Sequence, residues 1–163
     1  MTKPLAGIVL ALAAAGLALA PSAGASPPTT DTIDYHPSNR LRDICPFAIQ
    51  WRGHAQIRDM VWTNHAGVVV KITDHVVEQD TFSANGHTIR SDTYHYAVHW
   101  VFDKAGNLLH AYATGVVIRM RLPNGTLFNA AGRVDVLTSN EAFSITPDTG
   151  HSGDIRAFCQ ALS

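Results

Sequence analysis

The chain has 163 residues, with 12 Lys and Arg against 13 Asp and Glu and a formal net charge of −1. That balance offers no basic field for nucleic acid or an anionic lipid surface, so neither is an expected partner. The length suits a single domain with room for a true core.

Residues 1–25 open with one cation, Lys3, followed by an apolar run from Leu5 to Ala20 and then Ala23-Gly24-Ala25. This order is that of a secretory signal peptide cut after Ala25. The run is short of the roughly 20 apolar residues that a membrane span requires. Cleavage leaves 138 residues with no transmembrane segment and implies a secreted protein. In that oxidising setting the two cysteines, Cys45 and Cys159, read as one structural disulfide stapling the ends of the domain. No CxxC occurs and no histidine adjoins either cysteine, so a reactive thiol or a metal site is not indicated there.

Residues 26–43 are polar, contain proline and lack an apolar period, the pattern of a flexible leader. From Phe47 the pattern changes. Phe47, Ile49, Trp51, Gly53, Ala55 and Ile57 alternate with polar or small residues, a period of two that predicts a strand with one wet face. Residues 67–82, rich in Val and Ile and free of Pro, predict a second, long strand.

Three glycine-terminated signals follow: Ala84-Asn85-Gly86, Lys104-Ala105-Gly106 and Pro123-Asn124-Gly125. Each fits a three-residue hairpin loop whose last position takes positive φ. Such loops pair Ser83 with His87, Asp103 with Asn107 and Leu122 with Thr126, and the registers of four strands follow by counting back. The even-numbered positions then gather the apolar residues on one face, with Asp74, Glu78 and His110 dissenting. The stretch YHYAVHW, residues 94–100, therefore reads as strand, not as a helix whose His95 and His99 grip one metal ion. After residue 152 the period turns helical. Ile155, Phe158, Cys159 and Leu162 predict a short amphipathic helix over 153–162, with Ser152 as N-cap.

The predicted fold is all-β: residues 44–163 form one antiparallel meander, curled into a calycin-like barrel or a tight sandwich and closed by the C-terminal helix.

Two faces compete for function. On the odd face the counted registers put His75 opposite His95, in a row continuing through Gly115 to Arg133. Ala111, Ala113 and Gly115 would floor a trough there. His75, His95 and Arg133 are the candidate catalytic residues, with a histidine as base and the guanidinium holding an anionic group. A metal ion would need a third ligand, and Asp135 is a row away across the trough with Arg133 beside it, so no metal is assigned. A solvated face with histidines at ordinary strand positions accounts for the same pattern.

On the even face Tyr94, Tyr96, Trp100, His110, Tyr112 and Phe128 would line the interior and hold one small apolar ligand, or simply fill the core. Asp74 and His110 need polar partners there, and Trp100, Tyr96 and Tyr112 are near enough in register to supply them. No GxSxG, HExxH or phosphate-binding loop occurs, and no cofactor is implied.

The Ala-rich signal, the Cys45-Pro46-Phe47 entry to the first strand, the glycine-punctuated hairpins and the Ala131-Gly132-Arg133-Val134 segment carry a family likeness. Over residues 45–137 the chain resembles small secreted β-rich proteins of high-GC Gram-positive (actinobacterial) type. The resemblance implies a secreted β fold and transfers no catalytic residue. The functional expectation is a non-catalytic binding module for a small apolar ligand. The alternatives are a lyase, isomerase or hydrolase using the histidine–arginine cluster, and a surface or host-interaction protein without a small-molecule site.

Overall fold

The computed structural model describes residues 27–137 and 146–163, so the signal-peptide reading of residues 1–25 lies outside the described residues. The described residues are mostly strand: β1 (Thr29–Tyr35), β2 (Ser38–Leu41), β3 (Ile49–Thr63), β4 (Val69–Ala84), β5 (His87–Arg90), β6 (Tyr94–Phe102), β7 (Leu108–Arg121), β8 (Leu127–Asp135) and β9 (Thr149–His151). One helix, α1 (Ile155–Ala161), ends it. Among the described residues no helix is long and apolar enough to cross a membrane.

All pairings are antiparallel, in the order β1-β3-β4-β6-β7-β8-β9, with β2 also on β3 and β5 also on β4. Among the described residues no ladder joins β1 to β9, so the hydrogen-bonded sheet is open there. It is nevertheless curled. The Phe158 ring of α1 meets Phe82 of β4 and Phe128 of β8, both at 5.4 Å between centroids, although three ladders separate those strands. Phe158 and Leu162 are fully buried, each contributing about 1.5–3 kcal/mol of apolar burial.

Residues 29–41 differ from the leader expected of them. They form two edge strands on β3, because backbone pairing needs no apolar side chains and the long β3 offers a free edge. The helix is capped by Asp154, whose carboxylate accepts from the Ala157 amide at 3.0 Å, and not by Ser152. Gly153 explains the later start. A Cβ there would lie 2.6 Å from the Phe128 ring, so the chain must pass that ring before it can coil.

The disulfide is as expected. Cys45, in the connection between β2 and β3, is bonded to Cys159 of α1, with Cα atoms 5.6 Å apart.

Two of the three turns match the predicted loops. The Asp103 amide donates to the Asn107 carbonyl and the Leu122 amide to the Thr126 carbonyl, both at 2.9 Å. The first turn is tighter. Asn85 (φ 49°) and Gly86 (φ 84°) alone join Ala84 to His87, the two-residue hairpin that positive φ at both central positions permits. Three residues have no opposite number: Val70 on β4, and Leu109 and Val117 on β7. Each is a β-bulge that reverses which parity faces inward. The two on β7 move Ala111, Ala113 and Gly115 to the inner face and send His110 and Tyr112 to the outer one.

Candidate functional site

The inner face has two ends. Around Ile49, Trp51, Phe82, Ile118, Met120 and Phe128 it is sealed by α1. Toward Asp59, Ile72, Asp74, Val98, Trp100 and Phe102 it is only half-buried.

From the half-buried end toward the sealed one β4 points three acids inward, Asp74, Glu78 and Asp80, where alternation alone calls for apolar residues. Each is met by an aromatic donor from β6 set diagonally across the ladder. Trp100, opposite Ile72, donates to Asp74 Oδ2 at 2.6 Å. Tyr96, opposite Val76, donates to Glu78 Oε2 at 2.6 Å. Tyr94, opposite Glu78, donates to Asp80 Oδ2. From the other side Trp51 of β3 donates to Asp80 Oδ1 at 2.7 Å. Diagonal neighbours are within reach of long aromatic side chains, so one strand offset serves all three acids.

Glycine makes the room. Gly53 lies opposite Asp80, and a Cβ there would come within 2.8 Å of Glu78 Oε1 and 3.1 Å of Asp80 Oδ1. The two carboxyls flank this bare spot, and Glu78 is the one that holds a proton. Burial, and then the neighbouring Asp80 charge, push Glu78 up to about 7. Asp80 is also raised by burial, against the bonds from Tyr94, Trp51 and Glu78 that favour its ionised form. Both tyrosine hydroxyls are driven upward, first by burial and then by the Glu78 charge, and stay protonated donors.

Glu78 has a measurable consequence. The folded chain keeps this proton up to about pH 7, whereas an unperturbed Glu releases it near 4.5. Between those values the folded state binds more protons than the unfolded one, so stability falls as pH rises through that window and levels off above it. The fall is on the order of 3 kcal/mol. Gln mimics the protonated acid, so Glu78→Gln flattens the profile and is more stable than the parent at pH 8. Urea midpoints taken from pH 4.5 to 8 check this, and a parallel pair of profiles would sink it.

At the half-buried end a second carboxyl pair forms, Asp59 of β3 directly opposite Asp74. Asp74 is raised by burial, opposed by the Trp100 bond and reinforced by Asp59. Its Oδ1 is buried and accepts a hydrogen bond from no donor among the described residues.

The six aromatic-face residues expected to bind ligand are therefore divided. Tyr96 and Trp100 stand half-buried on the inner face. Tyr94 and Phe128 are core residues, 2% and 0% exposed. His110 and Tyr112 lie on the outer face for the parity reason given above. Trp100 does donate to Asp74 as anticipated, whereas Glu78 stands out in the sequence only as a dissenter, Trp51 only as an apolar position of the first strand, and Asp80 and Asp59 not at all. The missed signal was acids at 74, 78 and 80, all of one parity in an apolar strand.

The histidine–arginine cluster does not assemble. His75 is opposite Ala97, and His95 is opposite Val77. The tight turn at Asn85-Gly86 and the irregular residues 91–93 each shift the register by one, which restores the shared face but offsets the pair by two positions. The row through His75 continues with Ala97, Thr114 and Arg133. Three strand spacings, about 14 Å measured along the sheet, thus separate the His75 and Arg133 backbones. Arg133 lies instead over the Tyr112 ring, 4.0 Å from its centroid. The small-residue floor belongs to the inner face. The outer face engages His99 most, between Thr73 Oγ1 (3.4 Å), Thr114 Oγ1 (3.3 Å) and the Tyr112 ring (5.0 Å). Partial burial lowers its basicity, followed by the Lys71 and His75 charges.

Neither a family model, nor a curated protein, nor a solved structure matches this chain.

Proposed function

We propose that the protein is an exported binding module that seats a small, largely apolar molecule on the half-buried end of the inner face, with the sheet curled around it as in a barrel. The ligand carries one hydrogen-bond donor, an amine or hydroxyl. The observation that carries this reading is Asp74 Oδ1, a buried acceptor with no donor among the described residues, beside the half-buried rings of Trp100 and Tyr96. Buried polar atoms are seldom left unpaired, and sites for small ligands combine apolar walls with a few placed polar groups. Export rests on the signal-like residues 1–25 and agrees with the Cys45–Cys159 bridge.

A second reading, acid–base catalysis, draws on Glu78, whose proton is exchangeable near neutrality. Its carboxyl is already engaged, with Oε2 accepting from Tyr96 and the group set beside Asp80, and the residue is only 4% exposed. Binding is the better supported of the two.

1-Aminoanthracene, a fluorescent apolar amine, tests the proposal. It is expected to bind the purified protein with enhanced emission, and Asp74→Leu is expected to weaken binding about tenfold or more, the loss of one hydrogen bond to a carboxylate. Asp74→Leu also strands the Trp100 N–H, at a cost of about 1–3 kcal/mol, so Asp74→Asn, which keeps one oxygen for that bond, is measured beside it as the milder variant. Equal affinity in parent and variant, or no binding by either, would refute it.

A further inference from the structure

A cross-strand histidine pair does exist, on the same outer face but between β3 and the strands at its edge, not between β4 and β6 as the sequence suggested. β1 and β2 pair with β3 in a single register: Tyr35 lies opposite Ala55 and Ser38 opposite Arg52. The two residues between them keep that register, since the Gly53 amide donates to the Pro37 carbonyl at 2.9 Å. His36 therefore falls opposite His54. Asp34, two residues before His36, points to the same outer face.

The side chains converge. His54 Nε2 is 2.9 Å and His36 Nε2 3.7 Å from the same atom, Asp34 Oδ1. The two imidazoles stack with centroids 4.6 Å apart and planes 6° from parallel. Among the described residues this is the group whose three ligand atoms all lie within 4.8 Å of one another. An ion with bonds of about 2.0–2.2 Å at tetrahedral angles holds its ligand atoms about 3.3–3.6 Å apart, a spacing that the two observed distances straddle.

We infer that Asp34, His36 and His54 bind one divalent zinc ion. Two imidazoles and a carboxylate suit zinc, whereas magnesium favours oxygen ligands and retains its waters. All three residues are exposed, so an ion reaches them without opening the fold, and a fourth position is left to solvent. An isolated His54–Asp34 surface pair would account for one contact but not for the second imidazole stacked on the first and turned to the same oxygen. The site lies on the outer face of an edge strand, independent of the ligand proposed for the inner face.

Isothermal titration of the purified protein with zinc chloride, at neutral pH in a non-chelating buffer, is expected to show one ion per chain and no response to magnesium. His36→Ala, His54→Ala and Asp34→Asn should each weaken zinc binding by about tenfold or more, since even loss of an outer-shell partner costs about 10–100-fold. A His95→Ala/His110→Ala variant, which removes two exposed histidines elsewhere, should bind as the parent does. Absence of zinc uptake, equal uptake of magnesium, or unchanged affinity in His54→Ala and Asp34→Asn would overturn the assignment. The conservative Asp34→Asn keeps the test open should an alanine variant fold poorly.

Discussion

Cys159→Ser is expected to destabilise the protein by about 4–5 kcal/mol, the chain-entropy value for a closed loop of roughly a hundred residues. The bridge spans 114 positions and ties α1 to the connection that leads into β3. A helix of seven residues has little stability of its own and depends on docking. Three other features hold it: the Phe158 ring between Phe82 and Phe128, buried Leu162, and the Asn85 Nδ2 bond to the Leu162 carbonyl at 3.0 Å. Cys45→Ser should cost the same, and the double variant no more than either single one, because all three remove one bond. Urea unfolding under non-reducing conditions gives the comparison. A single-variant loss below about 1 kcal/mol, under the usual range for a native bridge, would show that the helix is held without it.

Asp80→Leu is expected to cost about 3–5 kcal/mol, the scale for breaking a buried charged network by removing one member. The substitution strands the Trp51 N–H and the Tyr94 O–H, both aimed at this carboxylate, and each buried donor left unpaired costs about 1–3 kcal/mol. Asp80→Asn, which keeps one acceptor oxygen, should lose clearly less. In the triple variant Asp80→Leu/Trp51→Phe/Tyr94→Phe the stranded donors are gone, so its cost should fall below the sum of the separate changes. Equal losses for Leu and Asn at position 80 would mean that volume, not hydrogen bonding, sets the penalty.

These two sites differ in how far they can be read before folding. The cysteine pair is legible because only one pairing of two cysteines exists. The acid ladder is half legible. Asp74 and Glu78 stand out as acids in an apolar row, and Trp100 is near enough in register to serve Asp74, but the diagonal offset that assigns Tyr96 to Glu78 and Tyr94 to Asp80 appears only once β4 and β6 are set. Trp51 reads as an ordinary core residue until β3 brings its indole N–H to Asp80. The metal-binding group was out of reach for another reason. His36 lies in a stretch whose polar composition resembles a leader, and what orders it is backbone pairing along the edge of β3, which leaves no apolar period behind.

The sequence by itself determined the class of the fold, the wet and dry faces of β3, two of the three hairpin loops, the C-terminal helix and the disulfide. These follow from local rules: side-chain alternation, glycine at positive φ and the count of cysteines. Tertiary structure alone decided which side chains meet. Val117 and Leu109 each exchange the faces of β7, and a tight turn plus an irregular connection move His75 off His95 by two positions. A bulge is the insertion of one residue into a ladder, and its place is set by packing on both sides of the sheet rather than by the residue's own propensity. Because strand side chains alternate, that one residue re-sorts everything beyond it, and a site built across several strands depends on every such shift.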